Sequence, residues 1–282
     1  MNKKYLILIL LVVFTFTPTM SQQKLNITWN GIMYTNIVIL DENGGEHTAK
    51  AMISTAVDVC FIDSAFYCSL FPNRRADKEI YVGAEFGNVR NVSETTIDGI
   101  VFNGRTYQNV RTEVAPIIDS QGYKFVIGTS VLDGQTWMVN MEDSTITRIE
   151  QPAKGYVANI KCVRGKKKYK SSHLLFIPLT IQGKYFDCMF HTGANGIAIT
   201  KKLSKQPWIQ EEFKGGDNGL FHYNARNQYR LPNANVKAAF AKWEITEMVK
   251  YVPMLHYNCV GNIFFHGHSY VLDYTKNRIY IY

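Results

Sequence analysis

The chain has 282 residues, enough for two domains of about 110 to 130 residues with separate hydrophobic cores. Its composition, 46% hydrophobic and 19% charged, is that of a globular protein and excludes extensive disorder. The formal net charge is +8, but the chain carries no nucleic-acid-binding module, so we expect no nucleic-acid partner.

The N-terminus, residues 1–21, has the pattern of a secretory signal peptide. A basic start at Lys3 and Lys4 precedes an apolar run over residues 5–16, and a polar stretch follows up to Ser21. The apolar run is about 12 residues long, whereas a membrane-spanning helix needs roughly 20. We therefore expect an exported protein, periplasmic or extracellular, without a membrane span.

Residues 22–150 predict an N-terminal β domain. The turn over residues 41–45 is rich in Asp, Asn and Gly and joins two predicted strands as a hairpin. Residues 62–71 have the apolar spacing of a helix, and Asp63 and Ser64 are suited to capping it. Further strands are predicted at residues 79–82, 95–102 and 109–114.

The segment of residues 151–172 predicts a solvated basic linker. Six cations fall within ten residues, between Gly155 and Ser171: Lys161, Arg164, Lys166, Lys167, Lys168 and Lys170. Contact with an acidic surface or with phosphate groups is the alternative interpretation.

Residues 173–282 predict a second, C-terminal β domain. A hairpin over residues 174–190 leads into His191, an irregular stretch covers residues 205–220, and late strands follow at residues 235–240 and 242–252. The chain as a whole is therefore predicted to be all-β, with few short helices.

An internal repeat relates the two domains. Residues 189–194 correspond to residues 52–57 at an offset of 137. Gly128, Asn140 and Ile146 recur as Gly261, Asp273 and Ile279 at an offset of 133. A repeat of this length has the size of a domain, so we predict two similar halves packed together.

This pattern resembles the pepsin-like and retropepsin-like aspartic proteases over roughly residues 25–282. The resemblance rests on HTGA at residues 191–194, on STAV at residues 54–57, and on the matching domain endings at residues 125–149 and 259–281. It implies a two-lobed fold of duplicated β-barrel lobes with a peptide-binding groove between them. It also implies that Thr55, Ala56, Thr192 and Gly193 form the turns beside the groove. Tyr81 and Phe86 lie where the family carries its flap, and a plain hairpin without a ligand role is the alternative.

The positions at which this family carries its two catalytic aspartates hold Ser54 and His191. Those enzymes need two carboxylates about 3 Å apart that share one proton. Asp58 and Asp187 cannot replace them, since four residues of extended strand span roughly 13 Å. We therefore interpret the chain as a catalytically inactive relative, a monomer without cofactor, that binds peptide or protein segments in the groove.

Two alternatives remain open. Ser54 and His191 could form a nucleophile and base in an active hydrolase, although the sequence reveals neither an orienting acid nor an oxyanion hole. The chain could also be a structural envelope protein with a filled groove.

The cysteines and the clustered histidines do not predict a metal site. Cys60, Cys68, Cys162, Cys188 and Cys259 lack metal-ligand spacing, and we expect buried thiols, although the family resemblance leaves a Cys60–Cys68 disulfide open. We interpret His256, His266 and His268 as exposed or capping residues, with a metal site as the alternative.

Overall fold

The computed structural model describes residues 22–28, 31–75, 78–83, 89–117, 122–165, 173–193, 196–206, 220–223, 228–231, 233–240, 243–251, 257–265 and 267–282. The predicted signal peptide lies outside these residues, as does Phe86 of the predicted flap.

The described part of the N-terminal half, up to residue 150, forms eleven strands. They are β1 Gln22–Lys24, β2 Asn26–Ile27, β3 Met33–Leu40, β4 Glu46–Ile53, β5 Cys60–Asp63, β6 Lys78–Gly83, β7 Val89–Phe102, β8 Arg105–Ala115, β9 Phe125–Ile127, β10 Thr136–Asn140 and β11 Thr145–Ile149. The helices here are α1, Ser64–Leu70, and α2, Thr129–Leu132. As expected from the sequence, Asp63 caps α1, because its carboxylate accepts a hydrogen bond from the Phe66 amide at 3.1 Å.

The described part of the C-terminal half forms twelve strands. They are β12 Ala158–Lys161, β13 Val163–Arg164, β14 Leu175–Ile181, β15 Lys184–His191, β16 Ile197–Ile199, β17 Leu220–Tyr223, β18 Gln228–Leu231, β19 Asn233–Phe240, β20 Trp243–Tyr251, β21 Cys259–Gly261, β22 Tyr270–Asp273 and β23 Arg278–Ile281. The helix α3 covers Lys201–Ser204, and a 3₁₀ helix covers Asn262–Phe265. The prediction of an all-β protein with short helices is confirmed at the level of secondary structure.

Two sheets, one in each half, have the same strand order. The N-terminal sheet contains β3-β4-β9-β5-β8-β7, closed into a barrel because β3 also pairs with β7, and β2 and β6 flank it. The C-terminal sheet contains β14-β15-β21-β16-β20-β19, closed in the same way by β14 and β19, with β13 at its edge. A separate hairpin pairs β17 with β18.

The register of the two sheets also corresponds. Met52 on β4 lies opposite Val126 on the parallel strand β9, and Met189 on β15 lies opposite Cys259 on the parallel strand β21. The offsets between these pairs are 137 and 133 residues, the same offsets that relate the repeated sequence motifs.

A third sheet joins the halves, in the order β1-β11-β10-β22-β23-β12. Its central contact pairs β10 with β22, so that Trp137 lies opposite Leu272. Buried side chains from both halves belong to one continuous core, in which Trp137 and Tyr270 are fully buried. No helix in the described ranges is long and apolar enough to cross a membrane.

The described part of the predicted linker, residues 151–172, contains two short strands. Strand β12 pairs with β23, and β13 pairs with β14. Ile160 and Cys162 are buried on either side of exposed Lys161, which is the alternation of a strand at a sheet surface. Arg164 lies 2.6 Å from the Asp133 carboxylate of the N-terminal half and thus ties the halves together.

Candidate functional site

Two corresponding turns follow β4 and β15. We call residues 54–56 the first turn and residues 191–193 the second turn. The parallel partner β9 holds the first turn in place, because the Ser54 amide donates to the Ile127 carbonyl at 3.0 Å. His191 lies opposite Gly261 of the parallel strand β21. Each turn therefore begins where a parallel strand pair ends.

Reciprocal hydrogen bonds join the two turns. The Thr55 amide donates to Thr192 Oγ1 at 3.2 Å, and the Thr192 amide donates to Thr55 Oγ1 at 3.0 Å. Each hydroxyl also donates across the junction at 2.7 Å, Thr55 to the Phe190 carbonyl and Thr192 to the Ile53 carbonyl. Both threonines are 0% exposed, so every bond of this buried junction connects one half of the molecule with the other.

The side chains of Ser54 and His191 have corresponding partners. The Ala56 amide lies 3.5 Å from Ser54 Oγ, and the Gly193 amide donates to His191 Nδ1 at 3.1 Å. In both turns the backbone amide of the third residue thus faces the side chain of the first residue. Ser54 is 1% exposed and His191 is 3% exposed, so both are enclosed by the surrounding chain.

The hydrogen bond to His191 determines which ring nitrogen carries the proton. Because Nδ1 accepts from the Gly193 amide, a neutral ring carries its proton on Nε2. The lone pair of Nδ1 is then in use and Nε2 is a donor. A histidine that activates a serine needs the opposite arrangement, with Nε2 free to accept a proton and Nδ1–H held by an acid.

The candidate carboxylates near the turns lie elsewhere. Asp187 is opposite Pro178 within β15, four strand residues before His191, and this spacing corresponds to roughly 13 Å. Asp58 follows the first turn, and its negative charge acts on Arg111 and Glu113 of β8.

A row of side chains leads away from the first turn on the outer face of the N-terminal sheet. Met52 pairs with Val126, Val126 with Phe61, and Phe61 with Glu113, and directly paired residues share one face of a sheet. We call these four residues the outer row. A Cβ atom added to Gly193 would lie 3.3 Å from Met52 Sδ, so the outer row begins at the junction of the two turns.

Glu113 is the functional candidate that sequence reasoning missed. The residue is 6% exposed, and its Oε2 has no hydrogen-bond partner among the residues that the structure describes. The pKa of Glu113 is raised to about 7, chiefly by burial; Arg111 opposes the rise, and the nearby carboxylates of Glu94 and Asp58 contribute to it. Arg111 itself donates two hydrogen bonds to Glu94, at 2.9 and 2.7 Å.

The corresponding outer face of the C-terminal sheet carries a buried apolar cluster beside the second turn. Its buried cluster consists of Leu174, Phe176, Met189, Ala198 and Cys259. Ala56 of the first turn and Tyr257 pack against this cluster. Apolar side chains therefore border the turns on both sides, and those of the C-terminal sheet are buried.

The remaining predicted site residues are only partly described. Tyr81 lies on β6 opposite Asn91 of β7, whereas Phe86 falls outside the described residues. His268 Nδ1 lies 3.3 Å from the Tyr282 carbonyl oxygen, and His256 and His266 are not among the described residues. In the part of the chain that the structure covers, no three His, Cys, Asp or Glu side chains are grouped to hold a metal ion.

All five cysteines are free thiols, so the structure contains no Cys60–Cys68 disulfide. Cys68 is exposed and the other four are buried. Burial raises the pKa of Cys60 to about 11 and that of Cys162 to about 12, so these thiols are unreactive at neutral pH.

Comparison of the chain with protein-family models finds no match, and comparison with curated proteins finds none.

Proposed function

We propose that the chain is an exported, catalytically inactive protein of the aspartic-protease fold that binds a peptide or protein segment between its two lobes. The observation that carries the proposal is the reciprocal bonding of Thr55 and Thr192, which joins two turns of corresponding sequence. The shared strand order and the conserved offsets of 137 and 133 residues support duplicated barrel lobes.

Catalytic inactivity follows from the chemistry of the two central residues. A serine and an imidazole cannot share a proton as two carboxylates do, so the carboxylate pair that activates water in those enzymes is absent. The alternative hydrolase through Ser54 is disfavoured because His191 Nδ1 already accepts the Gly193 amide. That tautomer leaves no basic nitrogen for the Ser54 hydroxyl.

Ligand binding is supported by the surfaces beside the turns rather than by Ser54 and His191 themselves. Met52 and Phe61 of the outer row are half-buried and therefore retain exposed apolar area next to the junction. Sites for extended peptides combine such apolar contacts with backbone hydrogen bonds.

A structural role in the cell envelope is the second candidate. It is favoured by the near-complete burial of Ser54 and His191, at 1% and 3% exposure, because a groove filled by its own side chains needs no ligand.

A peptide-display selection on the purified exported protein distinguishes the two candidates. We expect wild type to enrich a set of related peptides, and Met52→Lys, which places a positive charge at the start of the outer row, to lose them. Glu46→Gln is the matched control because Glu46 is exposed on the same strand, β4. A protein that is folded yet enriches no peptide supports the structural role.

A cleavage assay on mixed peptides between pH 3 and pH 7, with and without pepstatin, tests inactivity. We expect no pepstatin-sensitive cleavage, because the shared-proton carboxylate pair is missing. Cleavage that pepstatin blocks would overturn the proposal.

A further inference from the structure

We infer that the outer face of the N-terminal sheet selects ligands with a cationic side chain, arginine or lysine, which pairs with the Glu113 carboxylate. The inference rests on the proposed peptide-binding function and names the ligand class that the same site accepts.

The position of Glu113 relative to the turns is the first argument. The outer row crosses four neighbouring strands, β4, β9, β5 and β8, and ends at Glu113. Neighbouring strands are about 4.8 Å apart, so Glu113 stands about 14 Å along the face from Met52, the length of about four extended peptide residues. A segment that begins at the turns therefore reaches Glu113.

The missing partner of Glu113 is the second argument. Glu113 is 94% buried, since its exposure is 6%, and its Oε2 has no hydrogen-bond partner within the described ranges. A buried carboxylate without a partner is costly, and a charged donor relieves that cost more than a neutral one. The described residues thus leave one acceptor unsatisfied at the end of the outer row.

The charges around Glu113 specify the sign of the partner. On β8 itself, Arg111 is engaged by Glu94 of β7 through two hydrogen bonds. Asp58, in the segment between the first turn and β5, adds a further negative charge that acts on Glu113. Two further carboxylates thus act on Glu113, against one guanidinium that is engaged by Glu94, while Lys78 of β6 lies opposite Glu94 on its far side. At Glu113 itself this arrangement favours a cationic over an acidic ligand group.

The C-terminal sheet does not repeat this feature. The pair of Phe61 with Glu113 in the N-terminal sheet corresponds to the pair of Ala198 with Lys250 in the C-terminal sheet. The acidic position therefore belongs to the N-terminal sheet alone. A peptide that contacts both sheets binds in one direction, with its cation on the N-terminal side.

The test uses a library of acetylated, amidated peptides of about eight residues, a length that spans both faces. Each position carries arginine, lysine, citrulline or norleucine in turn. We expect arginine and lysine to be preferred at one position by about 10-fold over citrulline and norleucine, the effect of one charge-assisted hydrogen bond. Glu113→Gln should retain peptides but lose this preference, and Glu46→Gln should keep it.

A pH series on wild type provides a test that needs no variant. Because the pKa of Glu113 is raised to about 7, its carboxylate is mostly neutral at pH 6 and mostly ionised at pH 8. The arginine-to-norleucine ratio should rise about 5-fold over this interval, since only the ionised form pairs with a cation.

The outcomes separate the two proposals. If wild type retains no peptide at all, the proposed function fails and this inference fails with it. If peptides bind without a cationic preference, or if the preference persists in Glu113→Gln or stays constant from pH 6 to pH 8, this inference alone is overturned.

Discussion

Replacement of Thr55 by valine tests whether the two turns hold the halves of the molecule together. Valine keeps the branched shape of threonine but lacks the hydroxyl. The variant therefore loses the donation from Thr55 Oγ1 to the Phe190 carbonyl and the bond from the Thr192 amide to the same oxygen. The Phe190 carbonyl and the Thr192 amide then lack these partners in a buried site, because Thr55 and Thr192 are both 0% exposed.

The magnitude follows from those two bonds. A hydrogen bond contributes about 1 kcal/mol net to the free energy of unfolding. A buried donor or acceptor left without its partner costs about 1 to 3 kcal/mol. Partial relaxation reduces the sum, so we expect Thr55→Val to lower the free energy of unfolding by about 2 to 4 kcal/mol. With a urea dependence of about 2 to 3 kcal/mol/M, the unfolding midpoint falls by about 1 M.

Urea unfolding followed by tryptophan fluorescence measures this loss, since Trp137 is buried in the sheet shared by both halves. The matched control is Thr112→Val. Thr112 is also 0% exposed, but its hydroxyl donates only to the Val110 carbonyl of its own strand, at 2.9 Å. We expect that control to cost about 1 kcal/mol. Equal losses for the two variants would refute the reasoning that the Thr55–Thr192 junction ties the halves together.

Three further predictions concern packing, thiol reactivity and pH. Gly128→Ala should destabilise the protein by about 3 kcal/mol or more, because the new Cβ would lie 2.1 Å from the Val59 carbonyl oxygen. An unchanged midpoint of urea unfolding would contradict this close packing. Ellman's reagent should react rapidly with one thiol, that of exposed Cys68, and with all five only after unfolding. Rapid reaction of two thiols, or of none, would contradict the burial of the other four cysteines. The pKa of Glu113 is raised from 4.5 to about 7 in the folded protein, so its carboxyl group stays protonated to higher pH than in the unfolded chain. As pH rises through that interval, wild type should therefore lose about 2 to 3 kcal/mol of stability relative to Glu113→Gln. A stability difference between the two proteins that is constant from pH 4 to pH 8 would contradict this prediction.

Local features of the protein were predictable from the sequence. The hairpin turn over residues 41–45 depends on Asp41, whose side chain accepts the Asn43 and Gly45 amides at 2.9 and 2.7 Å. The start of α1 depends on Asp63, only three residues from the amide that it caps. Such contacts span a few residues, so residue type and spacing suffice to predict them.

The strand β12 was not predictable in the same way. Its four residues, Ala158–Lys161, lie between Gly155 and the run of lysines at residues 166–168, a composition typical of a solvated connection. It is a strand because β23, more than a hundred residues later, offers a free edge along residues 278–281. Pairing between strands so distant in the chain leaves no local pattern.

The candidate site likewise has features that the sequence determines and features that only the folded structure determines. The sequence by itself determined the residue types of the two turns, the offsets that relate them and the absence of aspartate at positions 54 and 191. Only the tertiary structure decided that Thr55 and Thr192 bond reciprocally, and that Glu113 is buried although a charged strand residue predicts exposure. Burial and hydrogen bonding depend on which strands lie alongside, and that arrangement is a property of the folded chain rather than of any segment.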